Sequence, residues 1–125
     1  MKLCLIGSSR FKDQYDELNR RLTLAGHVVY SIAQVSTSAG TELDPDDKMV
    51  LDLVHLRKIQ ESEGVVLVTD ESRYIGFSTR REMIWARMLS KPIYGPVAEV
   101  EENYGDIGIP WYDLGPIMDS HFIRG

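Results

Sequence analysis

A chain of 125 residues, 43% hydrophobic and 26% charged, has the composition of one soluble globular domain spanning residues 1–125, long enough to bury a real core. A formal charge of −5 argues against a grip on nucleic-acid polymers, whose phosphates are held by basic surface. The single cysteine, Cys4, excludes a disulfide framework; no second ligand at sensible spacing supports a metal site, and no apolar run reaches membrane-spanning length.

The opening MKLCLIG is too short and too soon broken by Gly7 for a secretory leader, so a cytoplasmic location is expected. Lys2–Ile6 reads as a buried strand closed by the turn Gly7-Ser8-Ser9-Arg10. Phe11, Tyr15, Leu18, Leu22 and Ala25 recur at helical spacing, and Gly26 supplies a stop. His27–Ser31 is a second strand, and Ile32–Leu43 a loop of small residues, long enough to suggest function. Asp44 then caps a helix with Pro45 in its first position; Met49, Leu53, Leu56 and Ile59 form the apolar stripe.

Val65–Val68 is a continuous apolar strand of the kind buried on both faces of a parallel sheet. The loop Thr69–Thr79 leads to a helix over Thr79–Ser90, followed by a short strand at Pro92–Tyr94. The tail adds a short helix around Val97–Asn103 and one more strand. Trp111 and Tyr112 in it fit either an oligomer contact or a cover for the chain's own sheet edge. Alternating strands and helices predict an α/β domain: one doubly wound parallel sheet with helices on both faces. Ligands bind such sheets beyond the carboxyl ends of the strands, so the loops after Ile6, Ser31, Val68 and Tyr94 should frame any site.

Two of those loops carry candidates. In Gly7-Ser8-Ser9-Arg10, small residues, hydroxyls and a helix start suit an anion, although an ordinary turn with Ser9 as cap fits as well. In the second, Asp70 stands where a catalytic or ribose-binding carboxylate belongs, or where a loop is merely solvated, and Gly76 permits a bend at positive φ. Glu82 has two readings. Thr79-Arg80-Arg81-Glu82 matches a capping box, which would make the carboxylate structural. Yet Arg80 and Arg81 would then crowd a first helical turn, where cations are disfavoured unless an anion sits nearby. His55 and Lys58, one turn apart, lie at an edge of their helix that can face the same crevice; His27 and His121 stand isolated.

These residues in this order resemble the nucleoside 2-deoxyribosyltransferase superfamily, which includes the 2′-deoxynucleoside 5′-monophosphate N-hydrolases. The likeness runs over roughly Met1–Gly95 and is carried by the Lys2–Ile6 strand with its Gly-Ser turn, His55-Leu56-Arg57-Lys58-Ile59, Tyr74-Ile75-Gly76, Ser78-Thr79, Glu82, Ala86 and Lys91-Pro92-Ile93. It implies a flavodoxin-like fold and a glutamate nucleophile, Glu82, attacking C1′ of a deoxyribose, with transfer to another base or release to water. It further implies a substrate 5′-phosphate at Gly7, Ser8, Ser9 and Arg10, with Tyr74, Gly76, Ser78 and Thr79 lining the substrate site. His55 and Asp70 are the candidates for protonating the leaving base. No cofactor is called for; the partner is a small nucleoside or nucleotide, and assembly as a homo-oligomer is expected. Two positions depart from the pattern: His55 stands where members carry an aspartate, and Ile84 where they often have glycine. A nucleotide-binding module without chemistry, and cleavage of a larger nucleotide such as NAD, are the alternatives.

Overall fold

The computed structural model describes residues 1–32, 44–72, 74–95 and 111–118. Five strands, β1 (Lys2–Ile6), β2 (Val28–Tyr30), β3 (Gly64–Leu67), β4 (Ile93–Gly95) and β5 (Trp111–Asp113), form one sheet in the order β2-β1-β3-β4-β5. Every pairing is parallel, with Cys4 opposite Val65 at the centre. The helices are α1 (Lys12–Leu24), α2 (Pro45–Glu61) and α3 (Phe77–Met88), with a 3-10 turn at Gly115–Met118. This is the flavodoxin-like strand order, whose switch point lies between β1 and β3.

Strand pleating sorts the apolar runs between two cores. Leu3, Leu5, Val66 and Val68 point to one face, where they pack with Phe11, Tyr15 and Leu22 of the α1 region and with Ile117. Cys4, Ile6 and Val65 point to the other, against Ile59 of α2 and Met83 and Ala86 of α3. Each fully buried aliphatic side chain contributes roughly 1.5–3 kcal/mol. The His27 ring, buried beside β2, bonds the Ile117 carbonyl at 2.7 Å and so ties the 3-10 turn to the sheet.

Helix ends follow local chemistry. The Asp44 carboxylate accepts the Asp47 amide at 2.8 Å, and Pro45 takes the first helical position as expected. Two helices close with a Schellman pair of bonds: His27 N–H to Leu22 O and Gly26 N–H to Thr23 O on α1, Lys91 N–H to Ala86 O and Ser90 N–H to Arg87 O on α3. That motif needs a left-handed residue. On α1 it is Gly26, φ +100°, but on α3 it is Ser90, φ +56°, whose Cβ opposes the conformation. Ser90→Gly is therefore expected to raise stability by about 0.5–1 kcal/mol, read as a higher urea midpoint at unchanged slope.

Three expectations are corrected. α1 begins at Lys12 with Phe11 at its N-cap and no side-chain cap, so Ser9 does not cap it. α3 begins at Phe77, two residues before Thr79. On α2 the apolar stripe is covered only toward its C-terminal end: Ile59 is buried, whereas Met49 and Leu53 are 62% and 53% exposed. The residues after Ile32 in the small-residue stretch, the helix expected at Val97–Asn103, and His121 lie outside the described residues. The tail strand is real: β5 extends the chain's own sheet beside β4, and the Tyr112 ring meets Tyr94 at 5.8 Å. No described helix is long and apolar enough to cross a membrane.

Candidate active site

The β1–α1 turn must run hard against β3. Gly7 has φ +153°, and a Cβ there would lie 2.3 Å from the Val68 carbonyl oxygen, so no other residue fits without moving the strand. The Tyr15 hydroxyl donates to the Gly7 carbonyl at 2.7 Å, pinning the turn from inside the domain. The Ser8 hydroxyl meets the Arg10 amide at 3.4 Å.

Opposite this turn stands the start of α3. Gly76 occupies its N-cap in an extended conformation, φ −79° and ψ 173°, not the positive φ expected. Its missing side chain serves closeness instead, since a Cβ would press to 3.2 Å against the Tyr74 hydroxyl. Between the two helix starts lies a cleft of about 340 Å³ lined by Gly7, Ser8, Ser9, Tyr74, Gly76, Phe77, Ser78 and Thr79. The Arg10 guanidinium stacks 3.9 Å over the Tyr74 ring, and Phe11 meets that ring edge-on. The expected substrate-binding residues are thus gathered in one place, with Phe77 added. The N-terminal amides of α3, the hydroxyls of Ser8, Ser9, Ser78 and Thr79, and the Arg10 guanidinium over Tyr74 make it suited to an anion.

One turn along α3 from Thr79 comes Glu82. The capping box is not formed: with Gly76 as N-cap, Glu82 falls in the second turn, and Thr79, 2% exposed, lines the cleft instead of capping. Arg80 and Arg81 likewise leave the first turn, and Arg81 bonds Asp52 on α2 at 3.2 Å. The macrodipole fades within a turn, so it supports the Glu82 charge less than a first-turn position would. What the carboxylate meets is His55, whose Nε2 lies 3.6 Å from Glu82 Oε2, with the two side chains 12% and 15% exposed. Both atoms are buried and neither has a hydrogen-bond partner. A carboxylate oxygen so loosely engaged, near an imidazole but with no hydrogen bond, is left available to a ligand.

The surroundings register that charge. Burial, and then the Glu82 carboxylate, push the Cys4 thiol up to about 12; the same two causes drive the Tyr15 phenol above its ordinary range. Both groups stay neutral at working pH. Lys58 is held by the Ser31 carbonyl at 2.9 Å, at the end of β2.

Asp70 does not join this group. Its exposed carboxylate accepts the Ser72 hydroxyl and the Ser72 amide, which hold it below the ordinary carboxylate range, and it borders a separate cavity of about 570 Å³ between α1 and the 3-10 turn. A carboxylate so held is a poor proton donor at neutral pH. That cavity is the larger, but its mixture of surface acids and aliphatics presents no paired chemistry of the Glu82 and His55 kind. Among the described residues no group of three His, Cys, Asp or Glu side chains could hold a metal ion.

No family model matches the sequence, and no curated protein does. Among solved structures the chain is similar to a 2-deoxyribosyltransferase from Bacillus psychrosaccharolyticus, at 14% identity and a TM-score of 0.61, over 94% of this chain and 96% of that one. It is also similar to the Clostridium botulinum CMP N-glycosidase BcmB, at 15% identity and a TM-score of 0.55, over 91% and 89%. At such identities the likeness shows that the chain has their fold.

Proposed function

We propose that the chain is an enzyme that breaks the N-glycosidic bond of a deoxynucleoside or deoxynucleoside 5′-monophosphate, with Glu82 as nucleophile. The observation that carries this reading is the Glu82 carboxylate itself, half-buried with its Oε2 out of solvent, free of the helix cap and facing His55 one turn from the anion-suited cleft. Two solved structures of the same fold are described as a deoxyribosyltransferase and an N-glycosidase, which supports the same chemistry here.

In this mechanism a 5′-phosphate sits at Ser8, Ser9 and Arg10, with the amides at Gly76, Ser78 and Thr79 opposite. The sugar then lies along α3 with C1′ toward Glu82. As the C1′–N bond lengthens, positive charge builds on the ring, and a carboxylate against its face stabilises it and closes a C1′–O bond. The bonding pair leaves with the base nitrogen, which takes a proton from His55. Water or a second base then attacks C1′, the ester bond breaks, and Glu82 returns as carboxylate while His55 recovers a proton from the attacking group. Hydrolysis and transfer differ only in that last acceptor.

A panel of deoxynucleosides, their 5′-monophosphates, ribonucleotides and NAD, assayed for free base and for base exchange, tests the reading. Base release from a deoxy substrate supports it. Saturable binding without release from any member identifies a nucleotide-binding module instead, and release from NAD alone identifies a glycohydrolase of larger nucleotides.

The reading includes a homo-oligomer in which a neighbouring subunit completes the pocket. Its support is exposed apolar surface on adjacent helices: Met49, Val50 and Leu53 on α2, Ile84 and Met88 on α3. Clustered surface of this kind marks association sites. Leu53→Asp is expected to turn an oligomer into a monomer by light scattering on a sizing column and to lower activity with it. A wild-type chain that is monomeric and fully active at micromolar concentration would remove this part of the reading.

A further inference from the structure

Two cross-helix pairs lie side by side where α2 meets α3. His55 faces Glu82 at 3.6 Å, and Asp52, one turn earlier on α2, accepts a hydrogen bond from the Arg81 guanidinium at 3.2 Å. Residues three apart share a helix face, so Asp52 and His55 present themselves together to α3. On α3 their partners are consecutive. A permanent cation therefore stands next in sequence to Glu82, whose buried oxygen faces His55 without a hydrogen bond. The Arg81 Nε is itself buried without a hydrogen-bond partner, and its guanidinium carbon lies 5.0 Å from the Trp85 ring centroid.

That neighbour is a hazard to a nucleophile. A guanidinium that forks onto a carboxylate takes one lone pair of each oxygen and draws off their charge, which leaves a weaker nucleophile for a sugar. Asp52 and Arg81 are 59% and 40% exposed, and ion pairs of such exposure add little to stability. Their bond has more to do with where the arginine is than with how firmly the helices are joined.

We propose that Asp52 is a positioning residue for the reaction: by engaging Arg81 it keeps the guanidinium off Glu82, leaving the nucleophilic oxygen to the substrate and His55 as the group that faces it. This rests on the reading of Glu82 as nucleophile. The other titratable groups that sense the Glu82 charge are Cys4 on β1 and Tyr15 on α1, both neutral, while Lys58 on α2 is anchored at Ser31. None of them can take the place of Asp52 as an anion for Arg81.

The test compares Asp52→Ala, Arg81→Ala and the double variant by kcat, KM and the ¹³C titration of the Glu82 side-chain carboxyl, with oligomeric state followed in each. Asp52→Ala is expected to lower kcat about tenfold with KM changed less than about twofold, and to move the Glu82 titration to lower pH as Arg81 turns to it. In the Arg81→Ala background the Asp52 substitution should cost nothing further and leave the titration where Arg81→Ala alone puts it. Equal losses from Asp52→Ala with and without Arg81, or an unmoved Glu82 titration, would overturn the proposal and reduce the pair to a helix fastening. The titration needs no turnover, so a chain that releases no base sinks the proposed function without silencing this measurement.

Discussion

Glu82→Gln is expected to lower base release by about 10³-fold or more, equivalent to at least about 4 kcal/mol of transition-state stabilisation, with substrate binding largely kept. The amide matches the carboxylate in shape but supplies neither the negative charge that stabilises an oxocarbenium-like sugar nor an oxygen able to form the ester. Stability should move the other way. In a His55→Gln background, where no imidazolium is left facing it, neutralising the buried Glu82 oxygen removes a desolvation cost, and the chain should melt at or above the His55→Gln variant. Loss of activity together with undiminished stability separates a nucleophile from a structural carboxylate.

The second large effect is at His55. His55→Gln is expected to lower kcat by about 10²–10⁴-fold for bases that must be protonated to leave. For a 7-methylated purine, which departs as a neutral base without acquiring a proton, the loss should be less than about tenfold. A residue serving only to hold Glu82 in place would lower kcat equally for both classes of base.

Much of the architecture was legible because parallel sheets write themselves as apolar runs. Leu3–Ile6 and Val65–Val68 are buried on both faces, and no loop or amphipathic helix gives that pattern. Asp44-Pro45 marked a helix start through chemistry confined to four residues. The β1–α1 turn and the loop before α3 were nameable because a doubly wound sheet brings those two loops together whatever their sequence, while Tyr74, Ser78 and Thr79 as candidates came from the family resemblance.

What escaped depends on contacts across the fold. The spacing Thr79-x-x-Glu82 satisfies the capping rule, but Gly76 wins the helix start because its bare backbone fits under the Tyr74 hydroxyl, and Thr79 turns to the cleft. Asp52 and Arg81, 29 residues apart, show no pattern in the chain. Tyr15 sat on an apolar helical stripe and gave no sign that its hydroxyl would clamp Gly7. The α2 stripe was visible as apolar, yet periodicity tells which face is oily and not what covers it, and Met49 and Leu53 stand in the open.

The most direct measurement is to locate the sugar on the protein. Incubation with a 2′-fluoro-2′-deoxynucleoside 5′-monophosphate, whose fluorine slows the second step, followed by proteolysis and mass spectrometry, should find the sugar phosphate esterified to Glu82 and to no other residue. Steady base release from natural substrates with Glu82 left unmodified, or with the ester on another side chain, would contradict the account.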